Sequence, residues 1–253
     1  MEPNTYPLRS VNNTIYAALG DRWYDADDDP VALLRAESRL LNPWVARTIE
    51  EQTLGAAPRT VLDVGCGAGF LANYLAARGH RVTGLDTAAE ALDVARTHDS
   101  TRTVSYRHGD ANALPFADGA FDAVCAMDFL EHVTDPGRVI AEMSRVLAPG
   151  GIFVFHTFNR NPLAWLVIIK GVEWFVQNTP KDMHVLHLFH KPADLEKTCR
   201  AHGMDSVRFV GSRPRLGRAF WNMLRTGVVA PDFTFTFTRS TLLAYAGHAR
   251  RVG

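Results

Sequence analysis

The stretch Val61-Leu62-Asp63-Val64-Gly65-Cys66-Gly67-Ala68-Gly69 governs the reading of this chain. Thr60–Val64 is a short β-branched run that ends in glycines, the pattern of a buried strand. Phe70 to Arg78 follows with helical spacing and stops at Gly79. The glycines between them let the turn take unusual dihedrals and let a ligand approach the backbone. A dinucleotide would place its pyrophosphate on the helix N-terminus through G-x-G-x-x-G. Here the spacing is G-x-G-x-G (Gly65, Gly67, Gly69), and Asp63 precedes it. An acid there suits a cationic ligand, such as the methionine end of S-adenosylmethionine. The competing reading is a tight strand–helix turn with no ligand.

Outward from this loop, strands and helices alternate. Arg81–Leu85, Val104–Arg107, Phe121–Ala126 and Ile152–Thr157 read as strands. Ala88 to His98 and Gly137 to Leu147 read as helices, the latter closed by Pro149-Gly150-Gly151. Such alternation implies right-handed crossovers and a parallel, doubly wound α/β sheet. Upstream, Pro30 to Leu54 has helix-like spacing interrupted at Asn42-Pro43, and Ala56-Ala57-Pro58 reads as a linker. Downstream, Asn161 to Met183 looks inserted, Lys191 to His202 is a helix, and Asp205–Val210 and Phe233–Thr238 are two late strands. The expected organisation is one domain: cap 1–56, cofactor-binding core 59–160, apolar insertion 161–190, and C-terminal helix and strands 191–253.

Bulk properties narrow the function. Hydrophobic residues make up 47% of 253, enough for a sizeable core. Lys+Arg and Asp+Glu both number 27, which argues against a nucleic-acid partner. The charge is uneven: residues from Arg213 onward carry seven Arg and one Asp, read either as a patch for an anionic surface or as a solvated basic tail. Cys66, Cys125 and Cys199 have no metal-type spacing and suggest free thiols. Neither a signal-peptide core nor a membrane-length apolar run is present, so a cytoplasmic protein is expected.

Asp63, Asp86 and Asp110 each stand at the carboxyl end of one of three consecutive strands, a convergent set. A carboxylate at 86 can accept both ribose hydroxyls, and the Asp110-Ala111 pair can meet an adenine edge. Alone, each acid would be a loop cap. With Gly84-Leu85-Asp86, Gly109-Asp110-Ala111, Leu114-Pro115-Phe116, Phe121-Asp122 and Leu147-Ala148-Pro149-Gly150-Gly151, the segment 59–157 resembles the class I S-adenosylmethionine-dependent methyltransferases. The resemblance implies a Rossmann-like, seven-stranded mixed sheet with an N-terminal helical cap and a helical insertion after strand five. Met127 joins the implied donor site.

A narrower set of motifs is similar to the ubiquinone-biosynthesis O-methyltransferases, which methylate catechol-type hydroxyls on a polyprenylated ring. It comprises Asp21-Arg22-Trp23-Tyr24-Asp25, Leu41-Asn42-Pro43, Met127-Asp128-Phe129-Leu130-Glu131-His132-Val133, Thr157-Phe158-Asn159-Arg160-Asn161, and Pro180-Lys181-Asp182-Met183-His184 followed by Phe189 and Lys191-Pro192. Asp128 departs from the family's usual Glu, and Arg213–Arg225 has no counterpart in the pattern. The resemblance also implies an Arg near the donor carboxylate, ahead of Asn42-Pro43: Arg39, with Arg35 the fallback. Two solvent-facing arginines are the alternative.

Asp128, Glu131 and His132 follow strand four, where the acceptor belongs, and share a face if the segment is a helical turn. Two carboxylates and an imidazole can hold a divalent cation such as Mg²⁺, which would bind catechol oxygens and lower a hydroxyl pKa. Alternatively His132 acts alone as general base, or Asp128 caps a helix and His132 faces solvent. Pro162 to Gln177 is too short and too charged to span a bilayer; as an in-plane helix it would place Trp165 and Trp174 at the head groups of the inner membrane face. The resemblance points the same way, against a helix buried in the core or at a dimer contact. The leading function is O-methylation of a phenolic or lipid-quinone substrate. The alternatives are another small-molecule acceptor, such as a natural product, and a catalytically silent cofactor-binding protein.

Overall fold

The computed structural model describes residues 12–53 and 58–253. Its sheet contains β1 (Thr60–Val64), β2 (Arg81–Asp86), β3 (Ser105–His108), β4 (Phe121–Met127), β5 (Leu147–Phe158), β6 (Met204–Pro214), β7 (Phe235–Thr238) and β8 (Ala244–Arg251). Their spatial order is β3-β2-β1-β4-β5-β8-β6-β7. The first five pair in parallel, whereas β8 pairs antiparallel with β5 and β6, and β6 with β7.

Alternate residues of the central strands enter two separate buried layers. Leu62, Val64, Val124, Phe153 and Phe155 face α5 (Pro136–Val146) and α8 (Pro192–Ala201). Val61, Cys125, Ile152 and Val154 face α2 (Pro30–Gln52) and α3 (Phe70–Ala77). Each such fully buried side chain contributes about 1.5–3 kcal/mol. The helices start where local chemistry directs. Asp29 caps α2, its Oδ1 accepting from Val31 N at 3.0 Å and Ala32 N at 3.3 Å. Asp135 caps α5 by accepting from Arg138 N at 3.0 Å. A proline occupies the first turn of both.

Two expectations are corrected. The sheet has eight strands among the described residues, because the alternating Phe-Thr run forms β7 on the edge while the chain continues into β8. Only the end of the basic run enters the sheet, where β8 lies between β5 and β6; Arg213, Arg215, Arg218, Arg225 and Arg239 are exposed. Arg250 donates to Gly150 O at 2.9 Å and Gln52 O at 2.6 Å, and Arg251 to Arg145 O at 3.1 Å. Gly247 is required there, since a Cβ would lie 2.5 Å from both Arg208 O and Phe155 Cζ. Finally, α2 runs unbroken through Pro43. Proline forfeits one helical hydrogen bond, but Leu41, Val45, Ala46 and Ile49 are buried on both sides of it, and Asn42 Nδ2 donates to Phe70 O at 2.8 Å. The linker at 56–57 and residues 1–11 lie outside the described residues.

The insertion is helical but irregular: α6 (Pro162–Ala164), a π-helical turn at Trp165–Lys170, then α7 (Gly171–Phe175). Beside it packs α9 (Arg218–Thr226). At the N-terminal side, a 3-10 turn (Asn13–Tyr16) and α1 (Arg22–Asp25) lead into α2, and α4 (Ala89–Thr97) follows β2. Among the described residues no helix is long and apolar enough to cross a membrane. The three cysteines are free and buried.

Candidate active site

The carboxyl ends of β1, β2 and β4 open into a cavity of about 600 Å³. One end is polar. Asp63, Gly65, Gly67, Asp86 and Met127 line it, as the sequence leads one to expect. Asp63 is 2% exposed, and burial, reinforced by the neighbouring Asp86, pushes its carboxyl up to about 8. Burial also raises Asp86, opposed by bonds from the backbone N–H of Ala88 and Gly67, each 2.8 Å. Gly67 has φ +49, and a Cβ added there would meet Trp23 Cη2 at 3.1 Å. The loop is thus a cradle with no room for a side chain. Trp23 of α1 covers it, and Tyr24 donates to Ala68 O at 2.9 Å.

Other expected donor residues lie elsewhere. Arg39 is exposed and does not line the cavity; its Nη2 donates to Pro231 O at 3.1 Å and Phe233 O at 2.8 Å. Arg35 is bound likewise, to Trp23 O at 2.9 Å and to Ala26 O. Gly69, at φ +81, and Ala111, 5% exposed, stand behind the lining. Asp110 is exposed, and its carboxylate accepts from Asn112 N and Nδ2, both 2.8 Å, which holds it below the usual carboxylate range.

The middle of the cavity separates the three residues expected to act together. Asp128 adopts φ +51, a left-handed conformation rare outside glycine and Asn/Asp. Its Oδ1 turns to His156 Nδ1 at 2.6 Å instead of joining the 3-10 turn Leu130–His132. His156 Nε2 meets Ser212 Oγ at 2.9 Å, and Ser212 Oγ donates to Glu37 Oε1 at 2.9 Å. Burial alone would lower the His156 pKa, but the carboxylates of Asp128 and Glu37 outweigh it and hold the imidazolium well above its ordinary value.

Glu131 is fully buried, and burial, with Asp128 nearby, pushes its pKa up to about 8. Its Oε2 accepts from Thr157 Oγ1 at 2.7 Å, while its Oε1 has no hydrogen-bond partner among the described residues. His132 is held by Asn13: Nδ1 lies 3.0 Å from Asn13 Oδ1, and Asn13 Nδ2 donates to His132 O at 3.2 Å. Its Nε2 lies 3.4 Å from Tyr16 OH. Burial brings His132 down to about 3 and His184 to about 4. Ligand atoms of Glu131, His132 and His184 fall within 4.8 Å of one another, as do those of Glu37, Asp128 and His156. His184 stood in a quoted motif without a role. His156, Glu37 and Ser212 gave no sequence signal, because their meeting is purely tertiary.

The far end of the cavity is apolar. Val172 and Val176 from the insertion, Phe220, Met223 and Leu224 from α9, and Phe233 line it.

Residues 62–155 match a family model described as a methyltransferase domain. Among curated relatives, ubiquinone biosynthesis O-methyltransferases are 35% identical in Aromatoleum aromaticum (78% of this chain, 82% of the relative) and 38% identical in Azotobacter vinelandii (78% and 83%). The corresponding protein of Sodalis glossinidius is 38% identical over 71% of this chain and 72% of its own. Similar solved structures include the YcgJ protein of Bacillus subtilis, with TM-score 0.60 and 15% identity over 85% of this chain and 99% of that one. An S-adenosylmethionine-dependent methyltransferase from Thermotoga maritima has TM-score 0.58 and 16% identity over 91% and 93%. At these identities the solved structures speak for the fold alone.

Proposed function

Since the chain belongs to the ubiquinone-biosynthesis O-methyltransferase family, we propose that it methylates a hydroxyl of a catechol or phenol ring bearing an apolar, prenyl-type tail. One observation carries this reading. A single cavity runs from the carboxylates of Asp63 and Asp86, past His132 and His184, to an apolar end between the insertion and α9. In this reading donor, ring and tail would follow one another along it.

The chain is an S-adenosylmethionine-dependent methyltransferase. The donor supplies a methyl group already activated on a sulfonium, so the protein's work is alignment and handling of the hydroxyl proton. The glycine cradle at Gly67 and the buried Asp63 carboxyl fit that donor. In this reading Asp63 faces its cationic methionine end and Asp86 the ribose. As a base, His132 is poorly matched to a phenol: a group with a pKa of about 3 retains an abstracted proton badly. A divalent cation beside Glu131 and His132 would instead lower the hydroxyl's own pKa.

A membrane surface is the second partner in this reading. Leu163, Trp165, Leu166, Val167, Trp174 and Phe175 are 40–63% exposed. Leu166, Val167, Trp174 and Phe175 also line the cavity, which supports entry of a lipid-soluble acceptor from that side. Trp221 on neighbouring α9, 62% exposed, extends the patch.

Single-turnover assays with catechols and phenols, with and without prenyl tails, test the acceptor. Methyl transfer only to tailed rings is expected; preference for untailed natural-product phenols or amines would replace this reading. Flotation with anionic vesicles tests the surface. Trp165→Glu with Trp174→Glu should abolish flotation and leave donor binding intact, and an intact protein that does not float refutes membrane contact.

A further inference from the structure

We propose that Glu37 selects the acceptor ring: its Oε2 accepts a hydrogen bond from a second donor group on that ring, a hydroxyl or amino group other than the hydroxyl that is methylated. The proposal rests on the reading of the cavity as the acceptor site. It concerns the substituents of the ring, not its tail.

Four residues from separate parts of the chain meet in the cavity wall. Glu37 comes from α2, Asp128 from just past β4, His156 from β5 and Ser212 from β6. Glu37, Asp128 and Ser212 line the cavity, and His156 is fully buried behind them. Met127, beside Asp128, lines the donor end. The wall therefore flanks the place where the methyl group is delivered.

The polar hydrogens of these side chains are consumed within the wall. His156 Nδ1 lies 2.6 Å from Asp128 Oδ1, and its Nε2 lies 2.9 Å from Ser212 Oγ and 3.3 Å from Glu37 Oε1. The two carboxylates hold the ring as an imidazolium, so both nitrogens donate and neither has a lone pair for a metal ion. Ser212 Oγ accepts from His156 and gives its own hydrogen to Glu37 Oε1 at 2.9 Å. What these side chains can still offer a ligand is carboxylate lone pairs. A partner must bring the hydrogen.

Glu37 is placed to use that lone pair. Both of these contacts fall on Oε1, which leaves Oε2 for a ligand. The residue is only 6% exposed, so water reaches it poorly, and a buried acceptor left unmatched is costly. Ser212 and His156, both buried, hold the carboxylate from behind. A hydroxyl or amino hydrogen on the ring would match Oε2, whereas an ether or carbonyl oxygen would meet a second acceptor and be repelled. Sites built to bond a substrate O–H reject analogues that lack it, because the buried polar group is then unpaired. A buried ion pair adds little stability over apolar residues of the same volume. Here it sets a carboxylate on the cavity wall.

The test uses prenyl-tailed phenols that differ at one ring position besides the reacting hydroxyl: hydroxyl, amino, hydrogen or methoxy. Calorimetry with the chain saturated in demethylated donor reads affinity, and single turnovers read transfer. At one ring position hydroxyl and amino should bind alike, and methoxy roughly tenfold or more weaker. In Glu37→Gln, whose amide can itself donate, the hydroxyl-to-methoxy ratio should fall toward unity. Ser212→Ala, which only loosens the carboxylate, should narrow the ratio part of the way. Donor calorimetry shows which variants are folded; if Glu37→Gln is not, Ser212→Ala and the ranking in the unmutated chain decide. A ranking unchanged in the folded variants, as substituent size or a chelated ion would give, overturns the proposal. So does methoxy binding as well as hydroxyl at every ring position of the unmutated chain. Ring binding without methyl transfer would refute the acceptor reading and leave the role of Glu37 standing; no binding by any ring would overturn both.

Discussion

Trp23 approaches Gly67 so closely that a Cβ on the glycine would stand 3.1 Å from the indole Cη2. The N-terminal cap and the cofactor loop are therefore fitted to one another, not merely adjacent. Gly67→Ala combines this contact with a left-handed φ of +49, which costs a non-glycine residue about 1–2 kcal/mol. It should weaken donor binding roughly tenfold, since 1.4 kcal/mol is one decade. Adding Trp23→Ala should recover part of what Gly67→Ala loses; strict additivity in calorimetric donor titrations would show the two residues are uncoupled.

Asp63 links donor binding to pH. Its carboxyl, pushed up to about 8, keeps a proton that the unfolded chain loses near the ordinary carboxylate value. Folded stability therefore falls as pH rises between those limits. Asp63→Asn should raise the melting temperature of the donor-free protein at pH 8 and have little effect near pH 4. A cationic donor favours the ionised carboxyl, so binding should release a proton and tighten as pH rises toward 8. Calorimetry in buffers of different ionisation heat measures that proton, and none released would refute the pairing.

His156 lies between two carboxylates, 2.6 Å from the half-buried Asp128 and 3.3 Å from the buried Glu37. His156→Phe leaves them without a cation, a loss of about 3–5 kcal/mol. At ~2–4 °C per kcal/mol the melting temperature should fall by roughly 10 °C. The imidazolium's contribution is complete below the unfolded histidine value and disappears as pH climbs through the higher folded value. The intact protein should accordingly lose more stability on the alkaline side than the variant, and parallel pH profiles would contradict the assignment.

Asn13 should matter to turnover more than to folding. Its two bonds to His132 join the N-terminal turn to the end of β4. Asn13→Ala is expected to lower kcat roughly 10–100-fold, the usual cost of removing such a partner, with donor affinity unchanged. Equal losses in kcat and donor affinity would mean that Asn13 serves only to seat the cap.

Much of the parallel half was legible because its signals are local. Val61, Leu62 and Val64 lie at 0% exposure in the strand their β-branched run announces, and Gly65 and Gly67 line the cavity as their spacing suggests. β8 was not legible. Ala244-Tyr245-Ala246-Gly247-His248-Ala249-Arg250-Arg251 has one large apolar side chain. Its small residues are core residues only because Phe153 and Phe155 of the neighbouring strand fill the space, and its arginines resemble a tail until their carbonyl partners are seen. The arrangement of Asp128, Glu131 and His132 was not legible for a related reason. A shared helical face would need Asp128 in the turn, but Asp128 takes a positive φ and bonds to His156, which is distant in sequence.

The placement of β8 also fixes an order of events during synthesis. β6 and β7 leave the ribosome first, yet β6 reaches the rest of the sheet only through β8. Until Ala244 to Arg251 has emerged, β5 displays a raw edge of unpaired amide and carbonyl groups, because Ile152 awaits Arg250 and Phe158 awaits Ala244. The nucleotide-binding half can condense early from strand–helix–strand neighbours, while the other half waits on contacts across a long stretch of chain. A nascent chain stalled short of that point carries a finished cofactor loop on a half-built, adhesive sheet, the kind of species that chaperones exist to hold.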